Sequence, residues 1–252
     1  MFESIKYFFR GIEDGMPFEF FSFPHLLAIL ILFSGAVWII KNQKRLSQSK
    51  EGPILIKSIA VFLLITQLLK YFWDIASGHF NLDIGLPLYP CRIAIWLLLL
   101  STLFKRKSTW PLAFVWGLLG SIVATIIADP YPFVWPHYTN LEFFTTHIGM
   151  GWLILLQIVI YKPRFEKQQI RALISQTNIF LLLSWLCNVV LNFHGYDVNY
   201  AYLFAPPEFL SAVIPAGLPF TLLMVVAYNL FVSAMFLLGK AVTTKYYALE
   251  RA

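Results

Sequence analysis

Charge is what this chain has least of. Of its 252 residues only 13% are Asp, Glu, Lys or Arg, while 59% are hydrophobic and 17% aromatic. A soluble domain of that size needs more polar surface, so the composition, with mean hydropathy +0.70, is that of a membrane protein. Cysteine is scarce too. Cys91 and Cys187 both lie inside apolar segments, and they are expected to be reduced packing residues rather than a disulfide framework. No glycine-rich phosphate loop occurs, which argues against nucleotide-dependent chemistry. No HExxH or HxxxH pair occurs, so a zinc site made of histidines has to be assembled from different helices. The first 20 residues mix Glu3, Glu13, Asp14 and Glu19 with Lys6 and Arg10. They lack a short apolar core followed by a small-residue cleavage site, so no cleavable signal peptide is expected.

The formal net charge is +6. The basic residues sit in short connections between apolar runs, which is the positive-inside pattern and no sign of nucleic-acid binding. A span needs about 20 mostly apolar residues. Seven are read, at 21–40, 53–75, 86–104, 111–128, 141–161, 170–193 and 216–239. Lys41, Lys44, Arg45 and Lys50 follow the first; Lys105, Arg106 and Lys107 the third; Lys162, Arg164 and Lys167 the fifth; Lys240, Lys245 and Arg251 the seventh. The connections after spans two, four and six contain no Lys or Arg. The expectation is an all-α, polytopic membrane bundle of seven transmembrane helices, one integral domain over 1–252. Its N-terminus lies outside and its C-terminus is cytoplasmic. Short loops and minimal tails suit the cytoplasmic membrane of a cell.

On that topology all five histidines and all five aspartates gather near the outer face. Two outer loops, 129–137 and 199–207, are rich in aromatics and proline, and Tyr and Trp are usual at the headgroup level. The apolar connection 194–215 is expected to cap the outer surface, and the aromatic run 18–23 to lie at the interface. Span four carries Gly117/Ser121 and Gly120/Ala124/Ala128 at four-residue spacing. Such a face admits close approach of another helix, within the bundle or in an oligomer.

Ionisable groups inside a membrane are costly and draw a functional hypothesis. Lys70 and Asp74 are four apart on span two and share a face; they are an interfacial ion pair or part of a site. Arg92 either snorkels outward or holds an anionic headgroup. Cys91 and His147 are the sixth and seventh residues of two spans that both enter from outside, so each lies roughly 8–10 Å below the boundary. Equal depth suits a nucleophile and its base; the alternative is a packing cysteine and a histidine bonded to a neighbouring helix. His25, at the outer start of span one, can join the same pocket. Asn188 and Asn192, like Asn229, either line that cavity or bond between helices. A retinal Schiff base needs a lysine in the last span, and 216–239 has none.

Three motifs carry a resemblance. Residues 86–92, Leu-Pro-Leu-Tyr-Pro-Cys-Arg, resemble the LPLHLC signature of the YwaF family of bacterial integral membrane proteins. Residues 143–147, Phe-Phe-Thr-Thr-His, resemble its FFxxH. Residues 199–207 resemble its NYxYLxxxP loop. They occur in the right order, with a span layout that matches over nearly the whole chain. That family is similar to the transmembrane protein 164 family, which is acyltransferase-like, and more distantly to the androgen-induced-gene type hydrolases of lipid esters. The resemblance implies that Cys91 carries an acyl chain and that His147 stands beside it. The family's histidine two residues before the cysteine is Tyr89 here, a poor base at neutral pH.

Two functions are therefore carried forward. One is a lipid acyltransferase or hydrolase: Cys91 and His147 are catalytic, and Arg92, His25, Lys70, Asp74, Tyr89 and Asn192 bind substrate. The other is a non-catalytic transporter or binder of a small solute in a His- and aromatic-lined outer cavity. Neither assigns a cofactor or a metal. The partners expected are membrane lipids, with helix packing or oligomerisation through Gly117, Gly120 and Ala124, and no nucleic acid.

Overall fold

Long apolar runs whose prolines fall only near their starts leave the backbone one way to satisfy its polar groups in hydrocarbon, which is the α-helix. A computed structural model of the chain, which describes residues 2–16, 18–206 and 213–249, is all-helical among those residues. The helices are α1 (Phe2–Phe8), α2 (Phe23–Lys41), α3 (Gln43–Gln48), α4 (Glu51–Ser77), α5 (Leu82–Gly85), α6 (Pro90–Leu103), α7 (Trp110–Ile126), α8 (Tyr138–Tyr161), α9 (Gln169–Phe193) and α10 (Leu218–Leu249). Single 3-10 turns stand at Lys107–Thr109 and Tyr200–Tyr202.

Six of these helices are long and apolar enough to cross a membrane. The third expected span differs. Residues 86–89 precede the helix, and α6 has 14 residues, about 21 Å at the α-helical rise against a hydrocarbon core of about 30 Å. Pro87 and Pro90 fall in the first residues of that segment, where proline starts a helix rather than continues one.

Helix ends follow local chemistry. Pro24 stands in the first turn of α2. Gly78 ends α4 at φ 78°, the left-handed conformation glycine adopts without penalty. His137 caps α8, its side chain accepting from the Thr139 N–H. The helices expose large apolar side chains such as Leu30, Phe72, Leu182, Leu222 and Leu230, while His25, Asp74, Thr125, Ser184 and Asn188 are buried. Apolar outside and polar inside is the arrangement a lipid solvent requires.

The chain divides into two compact units. The first draws on Met1–Phe80, Leu98–Lys107 and Gly117–Lys162. Within it α2 and α4 pack on α8. Small residues set the approach: a Cβ on Gly149 would stand 2.8 Å from Leu63 Cδ2, and one on Gly35 would collide with the Trp152 ring. Trp152 Nε1 donates to the Leu32 carbonyl, 2.9 Å away. Gly117 faces α8 as well, since its Cβ would meet Ile154 Cδ1 at 2.9 Å, and Ser121 Oγ donates to the His147 carbonyl at 2.6 Å.

The second unit draws on Asn81–Leu97, Ser108–Trp116 and Pro163–Ala252. Here α9 packs on α10, and Asn178 and Asn229 exchange reciprocal amide bonds of 3.1 and 3.0 Å across them. Trp110, Phe114, Phe165 and Phe236 form a chain of ring contacts at 4.9–5.6 Å.

Candidate functional site

Cys91 is the second residue of α6, half-buried and reduced. A helix N-terminus presents unpaired N–H groups and a positive dipole end. The segment before it is held by side chains. Tyr89 donates its hydroxyl to Asp83 Oδ1 at 2.6 Å, and its ring lies 5.8 Å from Tyr200 and 5.4 Å from Tyr202. The Arg92 guanidinium stands over the Tyr89 ring at 5.5 Å. Cys91 and Tyr202 are both within electrostatic range of the Tyr228 hydroxyl, which donates to the Ala201 carbonyl at 3.1 Å.

The motif that begins at Asn199 turns out to be a folded plug. Asn188 Oδ1 accepts from the Tyr200 N–H at 2.7 Å and its Nδ2 donates to the Tyr200 carbonyl at 3.0 Å. Asn192 closes the same turn through the Val198 N–H and carbonyl, at 3.1 and 2.8 Å. Asn199 Oδ1 accepts from the Phe204 N–H at 2.9 Å. Tyr200 is fully buried and its hydroxyl donates to the Leu82 carbonyl. Burial pushes that phenol up to about 12. The Ala201 N–H donates to the Leu88 carbonyl at 3.1 Å, and Thr221 Oγ1 to the Leu203 carbonyl at 2.7 Å. Residues 198–203 thus clamp the entry to α6 to α9 and α10. The part of the expected cap at 207–212 lies outside the described residues.

The remaining candidates belong to the first unit. His147 is half-buried on α8, and its Nδ1 lies 2.7 Å from the Phe143 carbonyl one turn earlier. Because a carbonyl only accepts, Nδ1 carries the proton and Nε2 is the basic nitrogen. His25 is fully buried. Its Nδ1 accepts from the Phe21 N–H at 2.9 Å, so Nε2–H donates to the Thr125 carbonyl at 3.0 Å. Both nitrogens are engaged, and the ring sits among Phe18, Phe20, Phe21 and Phe144, so the structure gives His25 the place of a clamp between α2 and α7.

Lys70 and Asp74 do pair, at 2.7 Å, with Asp74 only 1% exposed. Tyr131 completes the triangle: Lys70 Nζ donates to its hydroxyl at 3.2 Å, and that hydroxyl donates to Asp74 Oδ1 at 3.3 Å. Next to this lies a polar layer not singled out from the sequence. Gln67 Nε2 donates to Glu142 Oε1 at 3.1 Å, and Thr146 Oγ1 to the same oxygen at 2.8 Å. The available signal was the single carboxylate inside 141–161, with Tyr138 and Thr146 four residues to either side.

Outside the helices, Arg10 and Val134 both donate to Asp14 Oδ2, and the Arg10 bond holds the Asp14 carboxyl below its ordinary value. His137 is fully buried, and burial holds its imidazole below 6.5. Its Nδ1 accepts at the helix cap while Nε2–H donates to the Arg10 carbonyl at 2.9 Å. Among the described residues no group of three His, Cys, Asp or Glu side chains gathers as a metal site.

An apolar groove of about 270 Å³ opens in the first unit among α2, α4 and α8. Leu27, Ile31, Ile59, Phe62, Leu141 and Trp152 line it.

No curated protein and no solved structure matches the chain. The model of the TMEM164 family matches residues 20–240. Six apolar helices long enough to span, buried polar groups and that match together make this a multi-pass membrane protein, and the chain belongs to the TMEM164 family.

Proposed function

We propose that the protein is a lipid-acyl enzyme of the cytoplasmic membrane, with Cys91 as the residue that carries the acyl group. The observation that carries this reading is the position of Cys91 in the first turn of α6, followed by Arg92 and flanked by the Tyr89–Asp83 bond. Arg92, the next residue, can hold a headgroup phosphate. The apolar groove of the first unit has the chemistry of a hydrocarbon-chain site. Family membership agrees with lipid chemistry through the resemblance described above.

In this mechanism Cys91 Sγ attacks the carbonyl carbon of a phospholipid ester. As the S–C bond forms the thiol proton passes to a general base, the role that the resemblance gives to His147. Collapse of the tetrahedral intermediate breaks the ester C–O bond. The proton returns to the leaving alkoxide, and a thioester remains on Cys91. A lipid hydroxyl, or water, then takes the acyl group and regenerates the thiol. The chain crosses the membrane seven times in this reading, N-terminus outside, with α6 as the short third span.

The test is mass-spectrometric mapping of the purified protein after exposure to an acyl-thioester donor. Acylation at Cys91 that is lost in Cys91→Ala and slowed in His147→Ala is expected. Unchanged lipid turnover in Cys91→Ser would sink the reading. The second reading, a solute binder or transporter, is favoured by the Lys70–Asp74–Tyr131 triangle around the buried Asp74. Thermal stabilisation by a small anion that survives Cys91→Ala and is lost in Arg92→Ala would select it.

A further inference from the structure

The buried polar layer of the first unit has two halves. One is the neutralised triangle of Lys70, Asp74 and Tyr131. The other is the Glu142 carboxyl, whose Oε1 accepts from two uncharged donors, Gln67 and Thr146. Helix geometry brings them together: Gln67, Lys70 and Asp74 fall on one face of α4, and Tyr138, Glu142 and Thr146 on one face of α8, and these two helices pack on each other. Asp74 is 1% exposed and Glu142 6%.

Between the halves stands Tyr138. Its side chain is buried, 9% exposed, and its hydroxyl has no hydrogen-bond partner among the described residues. The same hydroxyl is in electrostatic range of both Glu142 and Asp74. A buried hydroxyl without a partner is costly, and it marks the place where a small polar guest completes a network. The guest has to accept from Tyr138 and donate to carboxylates, which a water molecule does. A carboxylate that ionises while buried in a membrane-spanning helix is costly. A proton on Glu142 removes that cost.

We propose that Glu142 is a membrane-buried proton-binding site, connected through the Tyr138 hydroxyl and a bound water to the Lys70–Asp74 pair. Binding forms the O–H bond of a neutral carboxylic acid on Glu142. Release returns the carboxylate and hands the proton to the water at Tyr138. Gln67 and Thr146 hold Oε1 in place in both states. The charged and titratable groups on the elements around it include Lys70, Tyr71 and Asp74 of α4, Tyr131 from the segment before α8, and Tyr138 and His147 of α8 itself. His79 and His137 are in ring contact with Trp73, which in turn touches Tyr138. His25 of α2 lies across Phe144, and α3 leads into Gly52 at the Ile160 end of α8.

The test is pH-difference infrared spectroscopy of the full-length protein in lipid nanodiscs, titrated from about pH 4 to 9, the range over which carboxyl and imidazole groups report. A protonated-carboxyl C=O band is expected in the wild type and absent in Glu142→Gln, which keeps an acceptor oxygen for Gln67 and Thr146. In Tyr138→Phe the band persists with its midpoint displaced by about one pH unit, a tenfold change in proton affinity. In Asp74→Asn it also persists and is displaced. A band that survives Glu142→Gln, or a midpoint untouched by Tyr138→Phe, overturns the proposal. So does a wild-type midpoint that follows sodium concentration at constant ionic strength, because the guest would then be an alkali cation.

Discussion

Replacing Asn188 by alanine removes the two bonds that hold Tyr200 to α9. Asn188 and Tyr200 are both fully buried, so water does not simply take the place of the amide. The Tyr200 N–H and carbonyl lose their partner together. A buried polar group left unsatisfied costs about 1–3 kcal/mol, so the pair amounts to roughly 2–6 kcal/mol. For a chain of this size that corresponds to a fall of about 4–24 °C in Tm. The two reduced cysteines allow the melt to be followed in detergent with a thiol-reactive fluorophore. Hydrogen exchange reports the locus: the amides of 198–203 should lose protection first, while those of α8 keep theirs. Tyr200→Phe removes only the bond to the Leu82 carbonyl and should cost about 1–3 kcal/mol. A melt of Asn188→Ala within a degree of wild type would refute the claim that this loop is a structural plug, as would protection lost uniformly over the chain.

Four further outcomes follow from particular contacts. Gly35→Ala drives a methyl into the Trp152 ring and should cost about 1–3 kcal/mol by overpacking, read as a lower Tm. The Asn178–Asn229 pair should give a positive coupling energy in a double-mutant cycle of the two alanine variants, of about 0.6–2 kcal/mol as for interhelical bonds in membranes. His137 is held below 6.5 by burial, so the unfolded chain takes up the proton first as pH falls. Its contribution is therefore intact above about 6.5 and lost as pH drops through that value to the lower folded one. The pH dependence of Tm in that window should flatten in His137→Asn. Asp14 is held below 3.8, chiefly by Arg10; its stabilisation is present above 3.8 and disappears as pH falls through the folded value, which acid titration of Asp14→Asn against wild type would show.

The sequence by itself determined the membrane class, the all-helical architecture and the approximate place of every long helix. Each of these depends on the apolar content of a local window, because hydrocarbon admits little else. It also placed Lys70 beside Asp74, since four residues along a helix return to the same face. Motif order was enough to reach the family. The third expected span was less legible: its composition reads as one apolar run, while the prolines at 87 and 90 shorten the helix within it.

What only the tertiary structure decided is which polar groups meet. His25 looked like a pocket residue at a helix start, yet both its nitrogens are engaged, by Phe21 and Thr125. Asn192 looked like a cavity lining, yet its amide closes the turn at Val198. Glu142 drew no notice in the first turn of its span, where a carboxylate is ordinary. It gains significance from Gln67 on α4, 75 residues away in the chain. Hydropathy and periodicity report how each helix faces its surroundings. They carry no record of the neighbour across the interface, and that neighbour determines whether a buried polar side chain clamps the fold or is poised for chemistry.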